Sequence, residues 1–206
     1  MMERESTPRE QALHDLRQGI RASLDTKQSL LEDEILLRHI VDVGLLMTSA
    51  LQQGQRILFA GNGGSAADAQ HLAAELVSRF EFDRPGLPAL SLSTDTSMLT
   101  AIGNDYGYER LFQRQLEAQA RRGDIFVGIT TSGRSRNILA AFETCRQLGV
   151  TSVAMAGLGG ELEPLADHVL RAPSRHTPRI QECHILIGHM LCAQVEKALF
   201  GHLRPA

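Results

Sequence analysis

The sequence predicts an α/β fold with a doubly wound parallel sheet, and three observations carry that reading. Short, nearly continuous apolar runs alternate with stretches of helical period 10–15 residues long, the pattern of βαβ units with right-handed crossovers. The first such run, Arg56-Ile57-Leu58-Phe59-Ala60, lacks the polar alternation of a half-exposed strand, as expected of a parallel strand covered on both faces. Glycine- or hydroxyl-rich loops follow two of the runs and lead directly into helices.

Taken in order, apolar residues from Pro8 to about Gln53 recur at three- and four-residue intervals (Leu13, Leu16, Ile20, Leu24, then Ile35, Leu36, Ile40, Val43, Leu46). This predicts a long helical hairpin, with a break near Asp25 to Gln28 where the apolar period lapses. Gly54 ends it as a C-terminal glycine. Strands are then predicted at 56–60, 87–93, 124–129, 152–156 and 168–172, and helices at 65–80, 105–121, 135–148 and 178–200. With 206 residues, 43% of them hydrophobic, and no linker, repeat or low-complexity segment, the chain reads as a single domain. Residues 1–54 are expected to serve packing or oligomerisation, and residues 55–206 to form the α/β core.

Charge and composition exclude several classes of function. A net charge of -3 and a pI near 6.2 give no basic footprint for a nucleic-acid backbone. The N-terminus has no apolar signal region and no run approaches the ~20 residues of a membrane span, so a cytoplasmic protein is expected. Cys145, Cys183 and Cys192 are odd in number, lack CxxC spacing and fall in apolar helical patterns, as reduced core residues do.

The chemistry concentrates in a few segments. Gly61-Asn62-Gly63-Gly64-Ser65 follows the first strand, and Thr130-Thr131-Ser132-Gly133-Arg134-Ser135 follows the third. Both open a helix, where unpaired backbone N–H groups and the helix dipole favour an anion. Four hydroxyls around one glycine exceed what an N-cap needs, and a phosphate fits. The first loop also matches G-x-G-x-x-A, but a dinucleotide site wants an acidic residue about 20 positions on, and the first candidate, Asp95, is more than thirty from Gly61. A sugar phosphate accounts for both loops.

His71 and Glu75 are spaced i, i+4 on the helix opened by the glycine loop and share one face, a spacing that also suits an ordinary surface pair. Gln181 and His189 lie within about 80° of each other around the last helix. Together these four residues carry metal-ligand chemistry. His184 competes for the same role and is read as a core or interface histidine.

At these residues the chain resembles the sugar isomerase (SIS) domain and, within it, the phosphoheptose isomerases. The resemblance is carried by GNGGSAADAQHLAAEL at 61–76, RFEFDRPGLPAL at 79–90, AIGNDYGY at 101–108, GDIFVGITTSGRSRNIL at 123–139 and RIQECHILIGHMLC at 179–192, and covers nearly the whole chain. It implies a five-stranded parallel sheet and a homotetramer with active sites between subunits. It also implies one zinc ion per subunit held by His71, Glu75, Gln181 and His189. Phosphate would be bound by Ser65, Thr130, Thr131, Ser132 and Ser135, while Asn62, Gly63, Gly64, Asn104, Asp105, Glu75 and Gln181 would line the rest of the substrate site.

The implied reaction converts D-sedoheptulose 7-phosphate to D-glycero-D-manno-heptose 7-phosphate through an enediol, for the heptose of a bacterial surface glycan of lipopolysaccharide type. Glu75 would be the carbon base and His189 the acid. Two alternatives share the fold: a non-catalytic adaptor that binds the bacterial replication initiator, and a sugar-phosphate sensor. Neither needs both Glu75 and His189. The chain departs from the family pattern in three places: Arg134 stands where Asn is usual, Ala156–Gly160 lacks an acidic residue before the paired glycines, and 94–100 differs around the sugar end of the pocket.

Overall fold

A computed structural model of the chain describes residues 7–205. The elements are α1 (Pro8–Glu32), α2 (Glu34–Gln52), β1 (Ile57–Gly61), α3 (Gly64–Val77), β2 (Ala89–Ser91), α4 (Thr96–Tyr106), α5 (Leu111–Gln119), β3 (Ile125–Thr130), α6 (Arg136–Leu148), β4 (Thr151–Ala156), β5 (His168–Arg171) and α7 (Thr177–Phe200). The five strands form one parallel sheet in the order β2-β1-β3-β4-β5.

Every residue of β1 and β3 is buried because helices cover both faces of the sheet. Successive side chains alternate between two cores, with Ile57 and Phe59 on the face covered by α2, α3 and α7, and Leu58 and Ala60 on the face covered by α5 and α6. α3 leaves β1 for the first face and α6 leaves β3 for the second, although β1 and β3 are neighbours. The chain therefore opens a crevice beyond the carboxyl ends of these two strands, at the switch point of the topology.

Three expectations need correction. The N-terminal helices break at Asp33, not near Asp25 to Gln28: α1 runs on to Glu32, and the Asp33 carboxylate accepts the Leu36 N–H at 2.9 Å, starting α2. The polar run that suggested a break finds its partners along α1 and on α7. Thr26 donates to the Ala22 carbonyl, Gln28 pairs with Glu32 four residues on, and Lys27 reaches Ser23 and Glu182. The helix expected over 105–121 is two helices. α4 starts nine residues earlier, where Asp95 caps Met98 at 2.8 Å, and Gly107 at φ +87° turns the chain through a short 3-10 segment into α5. β2 is shorter than expected, three residues at a sheet edge.

Gly54, at φ +76°, follows α2 as expected of a C-terminal glycine. α1 and α2 differ in what they cover. α2 buries Ile40, Val43, Met47 and Leu51, whereas Leu16, Ile20 and Leu24 of α1 are each more than 60% exposed. That stripe borders a groove of about 770 Å³ shared with Arg179 and Glu182 of α7. No helix among the described residues is long and apolar enough to cross a membrane, and all three cysteines are free and buried.

Candidate active site

The crevice is built first from the β1–α3 loop. Gly63 adopts φ +55°, where a side chain would be strained, and this turn lets α3 start immediately: the Ser65 and Ala66 N–H groups donate to Asn62 and Gly63 carbonyls, each at 3.0 Å. Ser65 is 3% exposed at the helix start, where the positive end of the helix dipole favours an anion.

The β3–α6 loop approaches from the other side. Thr130 and Ser135 bring their hydroxyls to 3.1 Å of each other, and the Ser132 hydroxyl accepts the Arg134 N–H at 3.2 Å. Thr131, Ser132, Arg134, Gly159, Arg175 and Thr177 line a cleft of about 190 Å³. Arg134 and Arg175 also line an adjoining cavity of about 560 Å³, so the departure at 134 places a second exposed cation beside the hydroxyl loop.

Two residues that sequence reasoning did not single out tie the loops together. Asn137 and Asn62 exchange a reciprocal pair of amide hydrogen bonds, at 2.8 and 2.9 Å, and the Tyr108 hydroxyl donates to the same Asn62 Oδ1 at 2.8 Å. Asn62 is thereby a structural bridge between β1–α3 and α6. The available signal was an Asn at the start of an otherwise apolar helical pattern, which calls for a partner. Asn104 and Asp105, expected at the substrate site, lie exposed in the last turn of α4 and bond to each other at 2.8 Å.

The third part joins α3 to α7. His71 Nε2 lies 3.0 Å from His189 Nε2 and 3.2 Å from Glu75 Oε1, so three of the four expected ligand residues converge at one point. The helices meet this closely because of two glycines. A Cβ on Gly188 would lie 2.5 Å from the Leu72 side chain, next to His71, and one on Gly64 would collide with the Gln181 amide. Gln181 is thus packed on the glycine loop. The His189 ring also lies 5.2 Å from that of His71 and 5.3 Å from that of Phe80.

Two other ionisable groups near these elements have perturbed titration. Burial raises the Asp68 carboxyl above its ordinary value, opposed by the charge of His71, and Asp68 Oδ2 has no hydrogen-bond partner. His184 is fully buried and burial lowers its pKa to about 4, which keeps the ring neutral. It stands outside the cluster as a core histidine.

An α/β crevice with two phosphate-type loops and a histidine–carboxylate cluster defines a protein of the SIS-domain class, and the SIS domain family model matches residues 22–157. The chain is 55% identical over 186 residues to the phosphoheptose isomerase of Aneurinibacillus thermoaerophilus, covering 90% of this chain and 94% of that protein. It is also 55% identical to phosphoheptose isomerase 2 of Campylobacter jejuni, covering 87% and 90% of the two chains. The solved structure of a phosphoheptose isomerase from Francisella tularensis superposes with a TM-score of 0.86 at 36% identity, covering 90% of this chain and 98% of that one. The chain belongs to the phosphoheptose isomerase family, enzymes that interconvert an aldose and a ketose.

Proposed function

We propose that the enzyme converts D-sedoheptulose 7-phosphate to D-glycero-D-manno-heptose 7-phosphate, supplying heptose for a bacterial surface glycan of lipopolysaccharide type. The observation that carries this reading is the meeting of Glu75, His71 and His189 at hydrogen-bond distance across two helices. The whole chain acts as one catalytic domain in the cytoplasm, without nucleic acid or membrane as a partner.

Ser65, Thr130, Thr131, Ser132 and Ser135, with the first N–H groups of α6, hold the phosphate and so fix the far end of the sugar. Asn62, Gly63, Gly64, Asn104, Asp105 and Gln181 line the remainder of the site. Glu75, partly buried with 20% of its side chain exposed, takes the proton from one carbon and returns it to the adjacent carbon through an enediol. His189 moves protons on and off the two oxygens at those carbons. Proximity supplies part of the rate: a substrate anchored by its phosphate presents the reacting carbons to a carboxylate already in place.

The cluster fits zinc. Its donors are two imidazole nitrogens and a carboxylate oxygen, and their spacings of 3.0 and 3.2 Å approach the about 3.3 Å edge of a tetrahedron at zinc–ligand distances. His71, Glu75 and His189, with the Gln181 amide oxygen as fourth ligand, would hold one ion per subunit, and the metal would polarise the carbonyl and offset developing negative charge. The exposed apolar stripe of α1 supports assembly into a homotetramer with sites near subunit boundaries.

Proton NMR of sedoheptulose 7-phosphate with the enzyme in D2O tests the reading. New aldose anomeric signals, with deuterium incorporated at the adjacent carbon and both lost on chelation, are expected. Absence of aldose with zinc supplied would leave the adaptor or sensor reading, and binding to the replication initiator would then be measured.

A further inference from the structure

Between α3 and β2 the chain makes a loop, residues 78–88, that the reaction described above does not use. Its centre is a buried ion pair: the Arg84 and Glu196 side chains are 0% and 1% exposed, with Arg84 Nε 3.0 Å from Glu196 Oε1. Both partners are occupied further. Arg84 donates from Nη2 to the Glu75 carbonyl at 2.8 Å, and from Nη1 to the carbonyls of Leu76 at 2.6 Å and Pro85 at 3.0 Å. Glu196 accepts the backbone N–H of Phe80 at 2.9 Å and of Glu81 at 2.7 Å.

This pair touches both halves of the reactive cluster. Glu75 lies in the last turn of α3, whose carbonyls have no partner within the helix, and the guanidinium caps them. Glu196 lies two turns beyond His189 on α7, on the same face. By fixing the Phe80 backbone it sets the Phe80 ring 5.3 Å from the imidazole of His189, tilted by 33°. The terminal torsion of a histidine is broad and soft, so a flat wall beside the ring restricts the orientation of Nε2.

We infer that Phe80 and the Arg84–Glu196 pair are positioning residues: the pair anchors the end of α3 that carries Glu75, and the Phe80 ring it fixes holds the His189 imidazole toward His71. This rests on the assignment of Glu75, His71 and His189 proposed above. Neither Phe80 nor Arg84 touches the reacting atoms in this scheme. They act through the residues that do.

The test uses the full-chain holoenzyme and four variants, Phe80→Leu, Phe80→Tyr, His189→Gln and Arg84→Lys, with steady-state kinetics, zinc affinity by chelator competition and thermal unfolding. Phe80→Leu keeps an apolar side chain and removes the flat wall. It is expected to lower kcat and zinc affinity each about tenfold, with KM changed less than twofold and unfolding unchanged, as for groups that orient metal-ligating histidines. Phe80→Tyr restores the ring and is expected to recover both. A folded Phe80→Leu enzyme with wild-type kcat and zinc affinity, beside a His189→Gln enzyme that loses both, would overturn the positioning role alone. Wild-type turnover and zinc affinity in His189→Gln would instead remove the site assignment on which it rests. Arg84→Lys, which keeps the charge but not the several-armed reach, is expected to follow Phe80→Leu with an added loss of stability.

Discussion

His184 and His189 stand five residues apart on one helix, and their surroundings are opposite. His184 is fully enclosed, and neither ring nitrogen has a hydrogen-bond partner. His189 lies at the edge of the crevice with its Nε2 3.0 Å from His71 and its ring against Phe80. The five-residue offset turns the two side chains about 140° apart around the helix, one toward the sheet and one toward α3. The same residue type is thus a packing element on one face and a member of the histidine–carboxylate cluster on the other. What distinguishes them is the convergence of His71 and Glu75 on His189, not polarity within an apolar helix.

The open face is where the largest effects are expected. Glu75→Gln keeps the shape of the side chain and removes the proposed base, and kcat should fall about 10³-fold or more in the aldose-forming assay. Retained turnover would move the base elsewhere in the crevice. On the enclosed face, Glu196→Ala leaves the Arg84 charge and two backbone N–H groups without an acceptor. Denaturant unfolding should then show a loss of about 3–5 kcal/mol. Burial alone would raise the Glu196 carboxyl, but the Phe80 and Glu81 N–H groups and Arg84 hold it below its ordinary value. Its contribution is therefore present at neutral pH and is lost as pH falls below the ordinary carboxylate range.

His184 sharpens the contrast through pH. Its ring stays neutral down to about 4, while in the unfolded chain it takes a proton near 6.5. The unfolded state therefore gains protons first as the solution is acidified, and stability present above pH 6.5 drains away toward pH 4. His184→Leu should abolish this slope, gaining about 3 kcal/mol relative to the parent near pH 4.5 when unfolding is followed from pH 7.5 downward. The smallest effect is expected at the rim of the hydroxyl loop. Arg134→Asn removes one exposed cation beside Ser132 and should raise KM about three- to tenfold with kcat unchanged, an electrostatic effect that added salt should shrink.

Much of this arrangement was legible from local sequence. The glycine loop, the hydroxyl loop and the i, i+4 pair of His71 and Glu75 are short-range signals whose geometry follows from one turn of helix or one strand end. The strands were visible because buried parallel strands are almost wholly apolar. The remainder depends on contacts between distant segments. Arg84 and Glu196 are 112 residues apart, and Asn62 and Asn137 are 75 apart. In the sequence each is merely a polar residue without an evident partner. The break at Asp33 was hidden for a different reason. Lapse of the apolar period at Asp25 to Gln28 resembles a helix end, but those side chains find partners along α1 and on α7.

The close approach of α3 and α7 rests on what is missing at Gly188, where a single added carbon would press on Leu72. Because the neighbours of that contact are His71 and His189, the glycine acts as a gauge: the thickness of the packing between the two helices sets the gap between the two imidazoles. A spacer of one methyl group would be transmitted to the nitrogens as displacement, since a close-packed interface has little slack in which to absorb it. The bite of the reactive cluster is thus machined by a position that carries no chemistry of its own.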